Sequence, residues 1–117
     1  MTLDDYECAA ARTMNASLSD RERLVDAAAG LAEEAGEVLG LVRKHVYMAH
    51  PLDRERIVLE LGDVLWCLTT VATAVGATLD TVALANVKKL QSRYPDGYSE
   101  DARRARNSEE PLGQPGG

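Results

Sequence analysis

Five acidic side chains in two short motifs have the types and spacing that suit them to bind a metal ion. The motifs read Glu-Glu-x-x-Glu and Glu-x-x-Asp, and they comprise Glu33, Glu34, Glu37, Glu60 and Asp63. Like charges three or four residues apart repel each other on a helix, and we interpret all five as uncompensated by neighbouring Lys or Arg. A divalent cation would supply the missing positive charge, and all-oxygen ligands favour Mg²⁺ or Mn²⁺. Because protein-bound Mg²⁺ typically bridges to phosphates, the motifs predict a phosphorylated substrate.

A simpler interpretation is that these acids form a solvated helix face or pair with cations on another helix. The glycines beside the first motif argue against it. Gly30, Gly36 and Gly40 lie on the glutamate side of the predicted helix, and each costs about 1 kcal/mol relative to Ala in a helix interior. A freely solvated face gains nothing from that cost, whereas a face that another helix or a ligand approaches closely does.

The elements that must position these acids are helices. The chain has no Phe and a formal net charge of −6, and a core of Ala, Leu and Val favours helices over strands. This composition argues against an all-β sandwich, and the acidic balance argues against a nucleic-acid-binding protein. Breakers and caps predict an all-α, four-helix bundle with helices over residues 3–16, 21–48, 54–75 and 79–93.

The third predicted helix carries apolar residues on all sides around Glu60 and Asp63. A helix that is apolar all round must be buried on all sides, and three other helices cannot easily cover it. We therefore expect a homo-oligomer whose interface completes the bundle. Trp66 faces away from Glu60, so we interpret it as a packing residue rather than a platform for a nucleotide base.

The fourth predicted helix presents an amide and two cations on one face. Asn86, Lys89 and Arg93 follow helical spacing there, and such donors could hold phosphate oxygens. The alternative is a solvated helix end, where the helix dipole favours basic residues in any case.

The compartment is predicted to be the cytoplasm. The first residues show neither a basic nor an apolar signal-peptide region, and the uncharged stretch 64–79 is too short and polar to span a membrane comfortably. Cys8 and Cys67 form no C-x-x-C pattern and are interpreted as buried thiols of a reducing environment. We expect no membrane and no nucleic-acid partner.

Together with a third block, the two acidic motifs resemble a known family. That block reads N-x-x-K-L-x-x-R-Y-P-x-G-Y over residues 86–98. The chain resembles the MazG-like nucleoside triphosphate pyrophosphohydrolases of the all-α superfamily, over roughly residues 3–98. We accordingly predict one such domain at 1–98 and a flexible, disordered tail at 99–117, which is rich in Gly, Pro and charge.

The resemblance implies Mg²⁺-dependent hydrolysis of nucleoside triphosphates between the α- and β-phosphates, in a dimer or tetramer. It implies metal ligands at the positions of Glu33 or Glu34, Glu37, Glu60 and Asp63. One motif glutamate is expected to activate the attacking water; we nominate Glu34, although the sequence does not separate its role from that of Glu33. A single small domain favours a house-cleaning enzyme of the nucleotide pool.

Two alternatives stay open. One is a phosphoribosyl-ATP pyrophosphohydrolase, a relative on the same fold. The other is a non-catalytic helical oligomer that binds nucleotides. No residue reads a base unambiguously, so base and sugar preference, the number of metal ions and the choice between dimer and tetramer are undetermined by the sequence.

Overall fold

The computed structural model describes residues 1–109, and it is built from helices. Within these residues the only β-type pairing is an isolated bridge between Pro95 and Gly97. The five helices are α1 Leu3–Ala11, α2 Asp20–Tyr47, α3 Arg54–Ala74, α4 Leu79–Arg93 and α5 Glu100–Glu109. The predicted all-α class is confirmed, and the bounds of α2, α3 and α4 agree with the sequence to within one residue.

Helix α1 is shorter than predicted, because side chains compete for the backbone after Ala11. The Thr13 hydroxyl donates to the Ala10 carbonyl at 2.7 Å. The Asn15 side-chain oxygen accepts from the backbone nitrogen of Ser17 at 3.0 Å. Such local bonds offer the backbone an alternative to the helix, so α1 ends at Ala11 and not at residue 16.

Polar caps set the starts of the first three helices. Thr2 and Ser19 each form a capping box with the acidic residue three positions later. The Asp53 side chain accepts from the backbone nitrogen of Arg56 at 3.1 Å. These bonds satisfy amides that have no partner within the helix.

Helices α2 and α3 form an antiparallel pair, and residues 48–53 connect them. The turn depends on a left-handed residue, Ala49, with φ of 56°. The His50 amide folds back to donate to the Lys44 carbonyl at 3.1 Å, which satisfies a carbonyl at the end of α2. The tight turn places the middle of α2, which carries the first acidic motif, beside the middle of α3, which carries the second.

The buried core lies along the pair α2–α3, and α1 packs against α3 there. Its members are small residues, together with one leucine after the α3–α4 turn: Ala10, Ala27, Cys67, Thr69, Thr70, Ala72 and Leu79. The indole nitrogen of Trp66 donates to the Thr13 hydroxyl at 2.8 Å, which joins the end of α1 to α3. Trp66 is half-buried, as expected for a packing residue. Cys67 is buried, as interpreted, but Cys8 is exposed on α1, so that interpretation was wrong for Cys8.

The opposite end of the pair α2–α3, near the turn, leaves large apolar side chains exposed. These include Leu39, Val42, Val46, Val58 and Leu59. By length and composition alone, α3 is apolar enough to cross a membrane, a test that the core helix of a soluble protein also passes. The sequence-based exclusion of a membrane span considered residues 64–79, whereas the helix that passes is Arg54–Ala74.

The chain divides into two compact units. The first comprises Met1–Asp80, and the second begins at Thr81 and contains the rest of α4 together with α5. The domain predicted at residues 1–98 was drawn from the family resemblance, and its bounds stay a prediction.

Part of the predicted tail is helical. Residues 100–109 form α5, contrary to the expected disorder. The Ser99 hydroxyl accepts from the Ala102 amide at 3.1 Å. Arg103 pairs with Glu100 at 3.6 Å, and Arg104 pairs with Asp101 at 3.9 Å. Pairs at this spacing support a polar helix, and residues 110–117 lie outside the described range.

Candidate metal centre

Three of the five predicted carboxylates meet across the pair α2–α3. One carboxylate oxygen each from Glu34, Glu60 and Asp63 lies within 4.8 Å of the other two. Glu34 and Glu60 are half-buried, whereas Asp63 is exposed. The arrangement joins the two motifs, as the sequence predicts, and leaves one side of the cluster open to solvent.

A close helix–helix contact beside the cluster explains why the acids can meet. A Cβ atom added to Gly30 would lie 3.1 Å from the Cys67 sulfur, so glycine lets α2 approach α3 closely there. Gly30 precedes Glu34 by one turn, and Cys67 follows Asp63 by one turn. Cβ atoms at Gly36 and Gly40 would meet nothing within 4 Å, so close approach within the described protomer explains only the first of the three glycines.

The crowded charges favour protonation of the cluster. The pKa of Glu34 is raised above its usual value, chiefly because its carboxyl shares a hydrogen bond with Glu60. Desolvation and the charges of Asp63, Glu60 and Glu33 add to this shift. A proton held between two carboxylates marks a position where positive charge is favoured, and a divalent cation would satisfy the same need.

The side chains behind the cluster are held in their neutral forms. Desolvation is the largest cause of the raised pKa of the Cys67 thiol, followed by the charges of Glu34 and Asp63. Desolvation and the charge of Asp63 also raise the pKa of the Tyr6 phenol, which hydrogen-bonds to Thr69. A neutral thiol is a poor nucleophile and a poor ligand, so the carboxylates are the groups at this site suited to metal chemistry.

Two predicted ligands lie outside this group of three. Glu33 and Glu37 are exposed on α2, and Glu33 contributes its charge to the environment of Glu34. Among residues 1–109, the compact cluster comprises only Glu34, Glu60 and Asp63. The ligand roles of Glu33 and Glu37 therefore stay predictions.

Comparison with known proteins connects this geometry to a family. The model of the MazG nucleotide pyrophosphohydrolase domain matches residues 25–98, a range that contains both acidic motifs and the third sequence block. The chain belongs to the MazG nucleotide pyrophosphohydrolase family. The family and the fold class that the sequence predicts are both confirmed.

One curated relative of this MazG chain is the Gene 37 protein of Mycobacterium phage L5. The two are 36% identical over 72 residues, which is 58% of this chain and 63% of the phage protein. The match thus spans less than two thirds of the relative's length. No solved structure matches the chain.

The predicted phosphate-binding residues of this MazG chain lie on α4, beyond the unit that contains the cluster. Asn86 and Lys89 are exposed and Arg93 is half-buried, and all three belong to the unit that begins at Thr81. Their common helix face follows from the spacing. Their role toward a substrate stays a prediction.

Sequence reasoning missed one cation beside the cluster. Arg56 precedes Glu60 by four residues, a spacing that places the two on one helix face. The interpretation that all five carboxylates are uncompensated overlooked this neighbour of Glu60, although no ion pair between Arg56 and Glu60 forms within residues 1–109. A cavity of about 650 Å³ extends from the cluster past this arginine, and its lining residues are Asp53, Glu55, Arg56, Leu59, Glu60 and Asp63.

Proposed function

We propose that this chain is a Mg²⁺-dependent enzyme that hydrolyses ribo- or deoxynucleoside triphosphates between the α- and β-phosphates. The products are a nucleoside monophosphate and pyrophosphate. The observation that carries the proposal is the meeting of Glu34 with Glu60 and Asp63 across two helices. Membership in the MazG family supports the same class of reaction.

The donors present suit Mg²⁺, with Mn²⁺ as a substitute. All three side chains offer oxygen, the donor that hard divalent ions prefer, and the raised pKa of Glu34 beside Glu60, Asp63 and Glu33 reflects their crowded negative charge. Glu34, Glu60 and Asp63 would hold the ion, with Glu33 and Glu37 as further ligands from the first motif. When bound, the ion neutralises phosphate charge and makes water a better nucleophile.

Glu34 is our candidate for the base that accepts the proton of the attacking water. It is half-buried and adjoins both carboxylates of α3, so it would lie close to the reacting phosphate. The neighbouring Glu33 is the alternative base, in which case Glu34 serves as a ligand. Phosphoryl transfer depends mainly on positioning and charge stabilisation, and a cluster of carboxylates with a cation provides both.

Asn86, Lys89 and Arg93 are the proposed donors to the phosphates on α4. An amide and two cations on one face can bind several phosphate oxygens together. We propose this role on their helical spacing and on the third sequence block.

The active form is proposed to be a homo-oligomer, a dimer or a tetramer. The apolar side chains exposed on α2 and α3 near the turn, such as Leu39 and Leu59, would be covered by a second copy of the chain. We further propose a cytoplasmic house-cleaning role that removes unwanted nucleotides.

A product assay across all ribo- and deoxynucleoside triphosphates, including damaged ones, tests this proposal. With Mg²⁺ or Mn²⁺ present, we expect equal amounts of nucleoside monophosphate and pyrophosphate, and none after chelation. Release of a diphosphate and orthophosphate would contradict it. If phosphoribosyl-ATP is the only compound hydrolysed, the protein is a phosphoribosyl-ATP pyrophosphohydrolase. If nucleotides bind but no product forms, it is a nucleotide-binding protein and not an enzyme.

A further inference from the structure

We propose that Arg56 binds the diphosphate leaving group, and that the substrate therefore lies with its terminal phosphates toward the α2–α3 turn. This inference rests on the proposed function and assigns an additional residue to the same site. It starts from the cavity that Arg56 shares with Glu60 and Asp63.

Helix geometry places Arg56 beside the carboxylates. At 100° per residue, Arg56 and Asp63 lie about 40° and about 60° from Glu60 on the same side. Arg56 is one turn from Glu60, about 6 Å along the axis. An arginine side chain bridges that distance, so its guanidinium can reach a phosphate held at the cluster.

Arg56 is the only cation among the described residues that line this cavity. The other charged lining residues are the acids Asp53, Glu55, Glu60 and Asp63. The Arg56 side chain is exposed, and no ion pair of its guanidinium occurs within residues 1–109; its contact with Asp53 is made by the backbone amide. An anionic group entering this cavity would therefore meet one available cation, and that cation is Arg56.

A second cavity, toward the α1 end of the pair α2–α3, has a different character. It is lined by Asn15, Leu18, Arg21, Glu22, Val25 and Asp26. Its lining combines two apolar side chains with an amide and two acids, a mixture that does not favour a diphosphate. Its cation, Arg21, is thirteen residues from Glu34, about 20 Å along α2, too far to contact a phosphate at the cluster.

The chemistry of the step requires charge stabilisation at the leaving group. The water oxygen forms a bond to the α-phosphorus, and the bond from that phosphorus to the α–β bridging oxygen breaks. The bonding electron pair goes to the bridging oxygen, which leaves as part of pyrophosphate, and the water proton goes to the base glutamate. A guanidinium can donate two parallel hydrogen bonds to the departing group as its charge grows.

Pyrophosphate binding tests this role apart from turnover. Calorimetric titration with pyrophosphate in the presence of Mg²⁺ should show binding weakened about 10- to 100-fold in Arg56→Gln, the loss typical of a charge-assisted hydrogen bond. Arg56→Lys should recover part of the affinity, because it keeps the charge but not the bidentate geometry. Arg54→Gln is the matched control: Arg54 is an exposed arginine of the same helix, about 120° away from Glu60, and should leave binding unchanged.

Two further measurements separate this role from a structural one. Mg²⁺ affinity without pyrophosphate should not fall in Arg56→Gln, because the charge that is removed repels the ion. A fall in Mg²⁺ affinity with unchanged pyrophosphate affinity would mean that Arg56 acts by positioning the carboxylates, and it would overturn the proposal. Equal losses in Arg56→Gln and Arg54→Gln would also overturn it.

The proposed function can be refuted separately from the role of Arg56. If the wild type releases pyrophosphate from nucleotides while Arg56→Gln binds pyrophosphate normally, the function stands and the role of Arg56 is refuted. If the wild type releases no pyrophosphate from any nucleotide, the function is refuted, and the titration still decides whether Arg56 binds a diphosphate.

Discussion

The two ends of the pair α2–α3 are built from different side chains. Toward α1, the helices meet through small residues such as Ala27, Cys67 and Thr70, which are buried within one protomer. Toward the turn, large apolar residues such as Leu39 and Leu59 stay exposed. We call these regions the closed end and the open end. At the closed end the chain buries the contact between the helices itself, although Val25 and Val75 are exposed there. The open end has the composition of a surface that another copy would cover.

The carboxylate cluster lies between these two ends, and each contributes to it. At the closed end, the contact between Gly30 and Cys67 sets the helix spacing that brings Glu34 to Asp63. At the open end, the cavity that contains Arg56 adjoins the cluster, and Leu59 is also part of its lining, so a second copy that covers Leu59 would border this cavity. A close helix contact on one side and a cavity on the other suit a site that must hold a metal and admit a substrate.

The largest expected effect comes from the cluster itself. Asp63→Asn removes a charge but keeps the shape of the side chain. We expect turnover to fall by more than about 100-fold, because replacing even a residue that only supports a metal ligand lowers activity 10- to 100-fold.

Glu37→Gln is expected to abolish turnover as well, which tests a predicted ligand outside the group of three. Circular dichroism should show an unchanged helical fold, and retained pyrophosphate release would contradict the metal assignment.

The second prediction concerns the open end. Leu59 is 71% exposed in the protomer, so in a monomer Leu59→Lys would have little effect. If a second copy covers this surface, burying the new charge is costly, and light scattering should report a single protomer. Val75→Lys is the control, because Val75 is 64% exposed and lies at the other end of α3, where the dipole favours a cation. An unchanged mass in Leu59→Lys would contradict the proposed interface.

The third prediction concerns the closed end. Thr13→Val removes the acceptor of the Trp66 indole together with the donor to the Ala10 carbonyl, so the free energy of unfolding should fall by about 0.5–1.5 kcal/mol for each bond lost. Thr13→Ser keeps the hydroxyl and should retain most of the stability. Trp66 is the only tryptophan of the chain, so its fluorescence reports the change directly. Equal stability of the Val and Ser variants would show that the bond contributes nothing.

The smallest predicted effect is a pH dependence of the metal-free protein. Because the pKa of Glu34 is raised in the folded state, the folded chain keeps a proton that the unfolded chain loses. Stability should therefore fall as the pH rises from about 4.5, the ordinary value, through the raised pKa. The melting temperature in chelator, measured across this range, should show the fall. Glu34→Gln should make this fall in melting temperature smaller, and saturating Mg²⁺ should restore stability at neutral pH. A melting temperature of the wild type that does not change with pH would contradict the raised pKa of Glu34.

The sequence predicted the helices well because their caps and breakers are local. Thr2, Ser19 and Asp53 each bond to a backbone amide three residues on. The early end of α1 was missed because Thr13 and Asn15 are ambiguous between helix and turn. Helix α5 was missed because its polar composition resembles that of a disordered tail.

The candidate site was predicted in part. Motif spacing identified Glu34, Glu60 and Asp63 among five candidate ligands, but it could not tell which of the five would meet across two helices. That depends on helix spacing at Gly30 and Cys67, a tertiary property. Arg56 was available to sequence reasoning through its i,i+4 relation to Glu60. Tyr6 was not, because 57 positions separate it from Asp63.

The central claim is that carboxylates from both helices hold one divalent cation. Calorimetric titration of Mg²⁺, with Mn²⁺ in parallel, into the wild type, Glu34→Gln and Asp63→Asn tests it most directly. The account predicts a saturable site in the wild type that is lost when either the α2 or the α3 carboxylate is replaced. Unchanged affinity in both variants would contradict it.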